Sequence, residues 1–390
     1  MADKKGRSQA EVPRVALLWV HFGPYHLARL RALRRNCHVT AIQFASSQEM
    51  YGWRTNINAE LITLRTETYR AASSLEGFLR LWTILKETNP DVLFIPGYRE
   101  PLALVAALWG KVHGRTNVLM SDSTVFDQPR SKWKESLKAR LARCLFQKAF
   151  VSGKRSASYL QSLNCRHLFF EVGYDVVDNE HFATRVAAIQ ASKLLDLRSR
   201  PFLFVGRLVA AKNLSLLLDA FAAYRRFGGK RSLEIIGHGP LESSLKASAA
   251  VVELSGAVSF GGFQTYESLP ERYAHAACLI LPSISEPWGL VVNEAMAAGL
   301  PVIVSDRCGC VDDLVEDGSN GYVFPALSSK ALTDCLLTID ALDDRCLKAM
   351  GRRSKEMITK FSLETWVNAV LRLAQGRPNA PQLPESAASY

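Results

Sequence analysis

Two acids and two bases in the rear half of the chain have the types and spacing of a ligand site. Glu286 and Glu294 stand with seven residues between them in SEPWGLVVNEAMAAGLPV (285–302), and Arg207 and Lys212 fall within VGRLVAAKN (205–213). Glu286 follows the apolar run CLILP in a loop. Pro287, Trp288 and Gly289 form a turn, and Leu290 opens a helix that Gly299 ends and Pro301 cannot continue. One carboxylate therefore sits at the carboxyl end of a strand and the second about one turn into a helix. Carboxylates accept paired hydrogen bonds from sugar or ribose hydroxyls. A helix start offers unpaired N–H groups to phosphate, at the sheet edge where open α/β proteins hold ligands. Arg207 supplies a planar fork for phosphate oxygens and Lys212 a mobile point charge. Taken singly, the acids read as helix-start residues favoured by the dipole, and the bases as a solvated pair. Taken together, they read as a site for a ligand bearing both phosphate and hydroxyls.

The elements that must position these residues repeat one phrase. PFLFVG (201–206) is a continuous apolar run ending in Gly, and LSLLLDAFAAYRRF follows with apolar residues at helical spacing. LEIIG with PLESSLKASAA, AVSFGG with YESLPERYAHA, CLILP with GLVVNEAMAAG, and PVIVS with VDDLVEDG continue the alternation. The front half shows a looser version: RVALLWV, a helix over about 24–35, CHVTAIQF, a helix near 74–88, DVLFIP, a helix near 101–112, TNVLMS, a basic helix over about 131–148, and AFVSG. Strands alternating with helices predict α/β architecture, with two Rossmann-like, doubly wound domains facing a central cleft. The boundaries read as a disordered tail at 1–13, a first domain at 14–175 and a second domain at 176–360. A helix over 361–376 is expected to cross back to the first domain, and a Pro- and Ser-rich tail at 377–390 to be disordered. The polar segment EVGYDVVDNEHF (171–182) is the expected hinge.

Composition narrows the class. A chain of 390 residues with 48% hydrophobic and 22% charged content supports two packed cores rather than disorder. No apolar run reaches the roughly 18 to 20 residues of a membrane span, and MADKKGRSQAEVPR has no signal-peptide core, so a cytoplasmic location is expected. Eight cysteines without metal spacing read as thiols in a reducing compartment. Charge is uneven: residues 1–175 carry 26 Lys/Arg against 14 Asp/Glu, and residues 176–390 carry 22 against 23. Segment 129–155 alone has nine bases and one acid, with Trp133, Leu137, Leu141 and Leu145 at four-residue spacing; Arg29, Arg31, Arg34 and Arg35 add to the first helix. Such a helix either packs its leucines on the sheet or lies on anionic lipid at the inner membrane face. No nucleic-acid-reading module is present, so no nucleic-acid partner is expected.

With these residues in place, the rear half resembles the retaining GT-B glycosyltransferases of family 4, whose mark is this pair of glutamates. IIGHGPL (235–241) and DLVEDGSNGYVF (313–324) agree with that family in the right order. The match is close over about 201–326 and loose in front. It implies a retaining transfer of a sugar from a nucleotide-diphosphate donor to an acceptor hydroxyl, in polysaccharide, glycolipid or glycoconjugate synthesis, with the leaving phosphate as base. Carried over, Arg207 and Lys212 grip the diphosphate, Glu286 the donor sugar and Glu294 the ribose. Gly206, Gly237 and Gly239 let the chain approach the nucleotide, Trp288 lines the donor, and the amides near Gly289, Leu290 and Val291 face sugar and phosphate. Gly262 and Phe263 are a base platform. In the front half, Gly23 of HFGPYH (21–26) lies by the donor phosphate, with His21, His26, Arg99 and Glu100 toward the acceptor. Asp122 of MSDST stands where relatives often carry a His that reaches the donor sugar, which predicts a donor other than the commonest hexoses. The sequence has no Asp-x-Asp and no His/Cys cluster, so neither metal nor other cofactor is expected. A GT-B enzyme of other activity, epimerase-like or a phosphorylase, is the alternative. A nicotinamide-dependent oxidoreductase would need a GxGxxG that GHGPLE only partly supplies.

Overall fold

The computed structural model describes residues 13–45, 61–65, 74–127, 131–165, 167–192, 199–251, 254 and 256–375. The two tails expected at the ends lie, apart from Pro13, outside the described residues. The first sheet has seven parallel strands: β1 (Arg14–Trp19), β2 (His38–Ala45), β3 (Ile62–Arg65), β4 (Val92–Pro96), β5 (Thr116–Ser121), β6 (Lys148–Val151) and β7 (Phe169–Val172), in the order β3-β2-β1-β4-β5-β6-β7. The second has six: β8 (Phe202–Val205), β9 (Leu233–Ile236), β10 (Val258–Gly262), β11 (Cys278–Leu281), β12 (Val302–Ser305) and β13 (Gly321–Phe324), in the order β10-β9-β8-β11-β12-β13. The strands read as unbroken apolar runs because helices cover both faces: every residue of β8, β11 and β12 is buried.

In each sheet the strand order reverses once, between β1 and β4 and again between β8 and β11. The loops leaving those strands diverge there and open a crevice beyond the carboxyl ends. Gly23 follows β1, Arg99 follows β4, Arg207 follows β8 and Glu286 follows β11, so the topology brings candidate residues to both switch points.

One face of the first sheet is covered by α2 (Leu75–Thr88), α3 (Pro101–Val112), α4 (Lys132–Leu145) and α5 (Lys154–Ser162), whose Leu81, Leu85, Ala106, Trp109, Ala142 and Leu160 share one core. The far face of the second sheet packs α7 (Leu214–Arg226), α8 (Glu242–Val251) and α12 (Ser329–Ala341). A third core is continuous between the domains. It joins α1 (Pro24–Arg34), α6 (Asn179–Ser192), α9 (Leu269–His275), α10 (Leu290–Ala297) and α14 (Leu363–Gln375) through Leu30, Phe182, Tyr273, Val292 and Trp366. The one-turn helix α11 (Val311–Leu314) and the longer α13 (Asp344–Ile358) complete the second domain.

The hinge differs from the polar linker that its sequence suggests. Val176 and Val177 are fully buried, and Asp175 accepts from Arg29 Nη2 at 3.4 Å and Ser152 Oγ at 2.6 Å. Burial pushes the Asp175 carboxyl up, opposed chiefly by the Arg29 charge. Arg29, counted in the sequence among surface bases, is sealed inside, where its guanidinium also donates to the Val176 carbonyl at 2.7 Å. The last helix, α14, packs on α1 and β7, and Arg372 donates to both oxygens of Glu171 at 2.7 and 2.8 Å.

Candidate active site

Lys212 closes a single 3-10 turn (Ala210–Lys212) beyond β8, and its stem passes beside Gly206. Its Nζ forms an ion pair with Glu286 Oε2, and both side chains are largely buried. Three hydrogen bonds fix Glu286 and the loop that carries it. Ser283 Oγ donates to Oε2 at 3.4 Å, Gly309 N–H donates to the Glu286 carbonyl at 2.9 Å, and Ile284 N–H donates to Ala211 beside Lys212 at 2.9 Å. Arg207 is half-buried at the carboxyl end of β8. The sequence thus places Arg207, Lys212 and Glu286 in neighbouring loops, and the fold joins Lys212 and Glu286 directly.

Gly289 adopts φ +111°, a conformation costly to any side-chain-bearing residue, and turns the chain into α10. Leu290 and Val291, half-buried, are the first residues of that helix, so their N–H groups lack intrahelical partners. Gly237 (φ +134°) and Gly239 lie against neighbouring backbone. A Cβ on Gly237 would strike the Gly206 carbonyl, and one on Gly239 would strike the Leu208 backbone. Close approach of two strand-end loops thus requires glycine at both positions.

One expected ligand contact, Trp288, is corrected, and another, Glu294, is enclosed by protein groups. Trp288 is buried between the domains, 5.4 Å from Phe361, and its Nε1 donates to Asn293 Oδ1 at 2.9 Å, so its ring does not line the crevice. Glu294 is fully buried: Oε1 accepts from Tyr25 Oη and Oε2 from Tyr273 Oη, both at 2.5 Å. Burial pushes its carboxyl up to about 7 against the opposing pull of the two phenol donors. Tyr273 belongs to the second domain, but Tyr25 reaches across from the first.

From the facing domain, Asp122 ends β5 near Glu286. Desolvation in the cleft, then repulsion from Asp175, Asp127 and Glu286, push its carboxyl up to about 7, although solvent still reaches the residue. Such a group carries a proton for part of its time at neutral pH and can then donate a hydrogen bond. Gly23 caps α1, and His26 Nδ1 accepts from the Gly23 N–H at 3.1 Å. Its imidazole lies 4.6 Å from Trp19, and burial, then the Arg29 and His21 charges, hold it well below the usual histidine range. His26 therefore acts as a neutral cap. His21 is buried beside the Ala45 carbonyl at 3.4 Å, while Arg99 is exposed and Glu100 precedes α3. Phe263 is 47% exposed with His238 edge-on at 5.7 Å, so it is a surface ring and not core.

A clamp that the sequence did not indicate holds the two rims together. Arg155 of α5 donates to both Asp312 oxygens at 2.8 Å and to the Asp306 and Cys308 carbonyls at 2.6 and 3.1 Å. Lys154 N–H donates to Asp313 at 2.9 Å, and Ser285 Oγ donates to the Asp127 carbonyl at 3.1 Å. The loop gripped by Arg155 is the one whose Gly309 supports Glu286. Arg155 read as one more base of the basic segment; nothing local marks its partner 157 residues away. No cluster of three His, Cys, Asp or Glu suited to a metal occurs among the described residues.

Comparison with known proteins gives these positions a context. Residues 186–357 match the family model described as Glycosyl transferases group 1. The chain is 27% identical over 241 residues to an alpha-D-kanosaminyltransferase of Streptomyces kanamyceticus, covering 60% of this chain and 61% of that protein. It is 32% identical over 155 residues to the amylovoran biosynthesis glycosyltransferase AmsK of Erwinia amylovora, covering 38% of each. The matches thus span less than two thirds of these relatives. Among solved structures, HepE of Anabaena in complex with UDP superposes with a TM-score of 0.75 at 16% identity, covering 94% of this chain and 100% of that one. WaaG, a glycosyltransferase involved in lipopolysaccharide biosynthesis, superposes with 0.64 at 16% identity, covering 93% and 100%. The architecture is the GT-B fold.

Proposed function

We propose that the protein, whose residues 186–357 match the model of the glycosyl transferases group 1, transfers a sugar, with retention, from a nucleotide-diphosphate donor to an acceptor hydroxyl. The observation that carries this reading is the Lys212–Glu286 pair at the switch point of the second sheet, with Arg207 alongside and Asp122 facing it. In the free cleft Lys212 and Glu286 neutralise each other. A donor separates them: its diphosphate takes Lys212 and Arg207, and its sugar hydroxyls take Glu286. Charge accumulates on the departing diphosphate, and both cations, with the amides of Leu290 and Val291, interact more strongly as it does so, which lowers the barrier. These cations do the work of a divalent ion, so the reading needs no metal. Asp122, when protonated, donates to a sugar oxygen in place of a histidine. Glu294 serves the ribose, and Phe263 with His238 offers a face for the base.

AmsK is named for amylovoran biosynthesis and WaaG for lipopolysaccharide biosynthesis, and polysaccharide or glycoconjugate synthesis is the setting proposed for this chain. No helix among the described residues is long and apolar enough to cross a membrane. Trp133 and Leu137 are 66% and 51% exposed on α4, beside exposed Arg140 and Arg143, whereas Leu141 and Leu145 are half-buried. This half-packed basic helix supports cytoplasmic residence with peripheral contact to anionic lipid. Flotation with anionic liposomes at low salt tests that contact, and no binding refutes it.

The transfer itself is tested by thermal shift against a panel of nucleotide sugars, followed by product analysis with the stabilising donor. Lys212→Met and Glu286→Gln are expected to lower turnover by about 100- to 1,000-fold. Full turnover in both variants, or accumulation of an epimerised free sugar, overturns the assignment.

A further inference from the structure

We propose that Tyr25 of the first domain is a plug in the second domain's hydroxyl subsite: its phenol occupies the place on Glu294 that a ribose hydroxyl of the donor takes. This deepens the reading of Glu294 given above and rests on it. The two phenols on Glu294 are not equivalent. Tyr273 is completely buried and comes from α9, in the same domain as Glu294, so it stays with the acid however the domains move. Tyr25 is half-buried, follows Gly23 at the switch point of the first sheet, and meets Glu294 across the interdomain boundary. Any opening of the cleft withdraws Tyr25 and leaves Oε1 bare, a buried carboxylate oxygen with no donor.

A second feature points to a polar occupant. The Tyr266 ring meets Tyr25 edge-on at 5.4 Å and stacks on His181 at 4.5 Å. Its hydroxyl is sealed from solvent with no hydrogen-bond partner among the described residues; after burial, the charge of Asp178 and then that of Glu294 act on it. A buried hydroxyl left unpaired is costly, and a site that closes on a ligand is where such a group is retained. With Tyr25 turned aside, Glu294 Oε1 and Tyr266 Oη stand as neighbouring partners for the two adjacent hydroxyls of a ribose. Nucleotide binding and release of Tyr25 are then one event. The empty protein holds its cleft shut through the same acid that the donor needs, so apparent affinity is reduced by the plugged fraction.

The test is calorimetric titration of the full chain with uridine, guanosine and adenosine diphosphates, using the one that binds tightest. Tyr25→Phe keeps the ring and its packing but removes the hydroxyl, and is expected to tighten binding roughly tenfold. The matching dideoxyribose nucleotide is expected to bind weakly and to gain nothing from Tyr25→Phe. Glu294→Gln is expected to weaken the ribonucleotide in either Tyr25 background. If Glu294→Gln binds both nucleotides as the wild type does, or none of the three diphosphates binds, the ribose reading of Glu294 falls and the plug with it. If Glu294→Gln weakens binding while Tyr25→Phe leaves it unchanged or weaker, the subsite stands and the plug is refuted.

Discussion

Glu294 places a measurable load on folding, and its sign and size follow from its surroundings. In the unfolded chain its carboxyl titrates near the ordinary 4.5; in the folded protein burial pushes it up to about 7. The folded state therefore holds a proton that the unfolded state has released over the window between those values. For an acid raised in this way, stability is greatest below the unfolded value, falls as pH climbs through the window, and is level above about 7. At 1.36 kcal/mol per pH unit the total loss is about 3 kcal/mol. Glu294→Gln removes the titration while keeping shape and an oxygen acceptor, and the Tyr25 and Tyr273 hydroxyls can each rotate to meet the amide. The measurement is urea denaturation of both proteins from about pH 4.5 to about pH 8.5, taking the difference in unfolding free energy at each pH so that other titrating groups cancel. The wild type should lose about 3 kcal/mol relative to the variant across the window, with no further change above about pH 7. A difference independent of pH refutes the assignment of a raised, buried acid, and a difference of opposite slope would mean that the phenol donors outweigh desolvation.

Asp122→Asn should flatten the pH profile of turnover. The wild type is expected to lose activity as pH rises through about 7, where Asp122 gives up the proton it donates, and a falling limb that persists in the asparagine variant refutes that role. Arg155→Ala removes four hydrogen bonds that tie α5 to the loops behind Glu286, and should cost about 2 to 4 kcal/mol of domain coupling, seen by calorimetry as a lower or split melting transition. An unchanged single transition shows the clamp to be idle. Gly237→Ala combines a φ of +134° with a collision against the Gly206 carbonyl, so its soluble yield and thermal midpoint should drop sharply even without ligand; normal stability with weakened nucleotide binding would restore the ligand-based reason for that glycine.

The legibility of the fold follows from distance along the chain. Runs such as FLFV, CLIL and VIVS identify strands buried on both faces because the information is local, and the alternation with helices then leaves few topologies. The Lys212–Glu286 pair was accessible for a related reason: each residue follows a central strand, and β8 and β11 are neighbours, so topology alone brings their loops together. What escaped the sequence depends on pairs without such a rule. Arg29 and Arg155 counted as surface bases because most arginines are exposed; only tertiary packing brings Asp175 and the Val176 carbonyl to Arg29, and only the docking of the two domains brings Asp312 to Arg155. Trp288 looked like part of a ligand-facing turn, and the same docking turned its ring inward against Phe361.

Glu294 is the informative case, because its spacing from Glu286 places a carboxylate near a helix start, while its partner across the domain boundary lies 269 residues away. A stabilising position would not keep an acid where ionisation is opposed by burial, since a glutamine there folds at less cost above neutral pH. Its retention in a fully enclosed site, capped by one phenol from its own domain and one from the opposite domain, is what a subsite exchanging one hydroxyl for another requires. On the proposed ribose role of Glu294, the same contact that conceals it from solvent connects donor binding to the separation of the two domains.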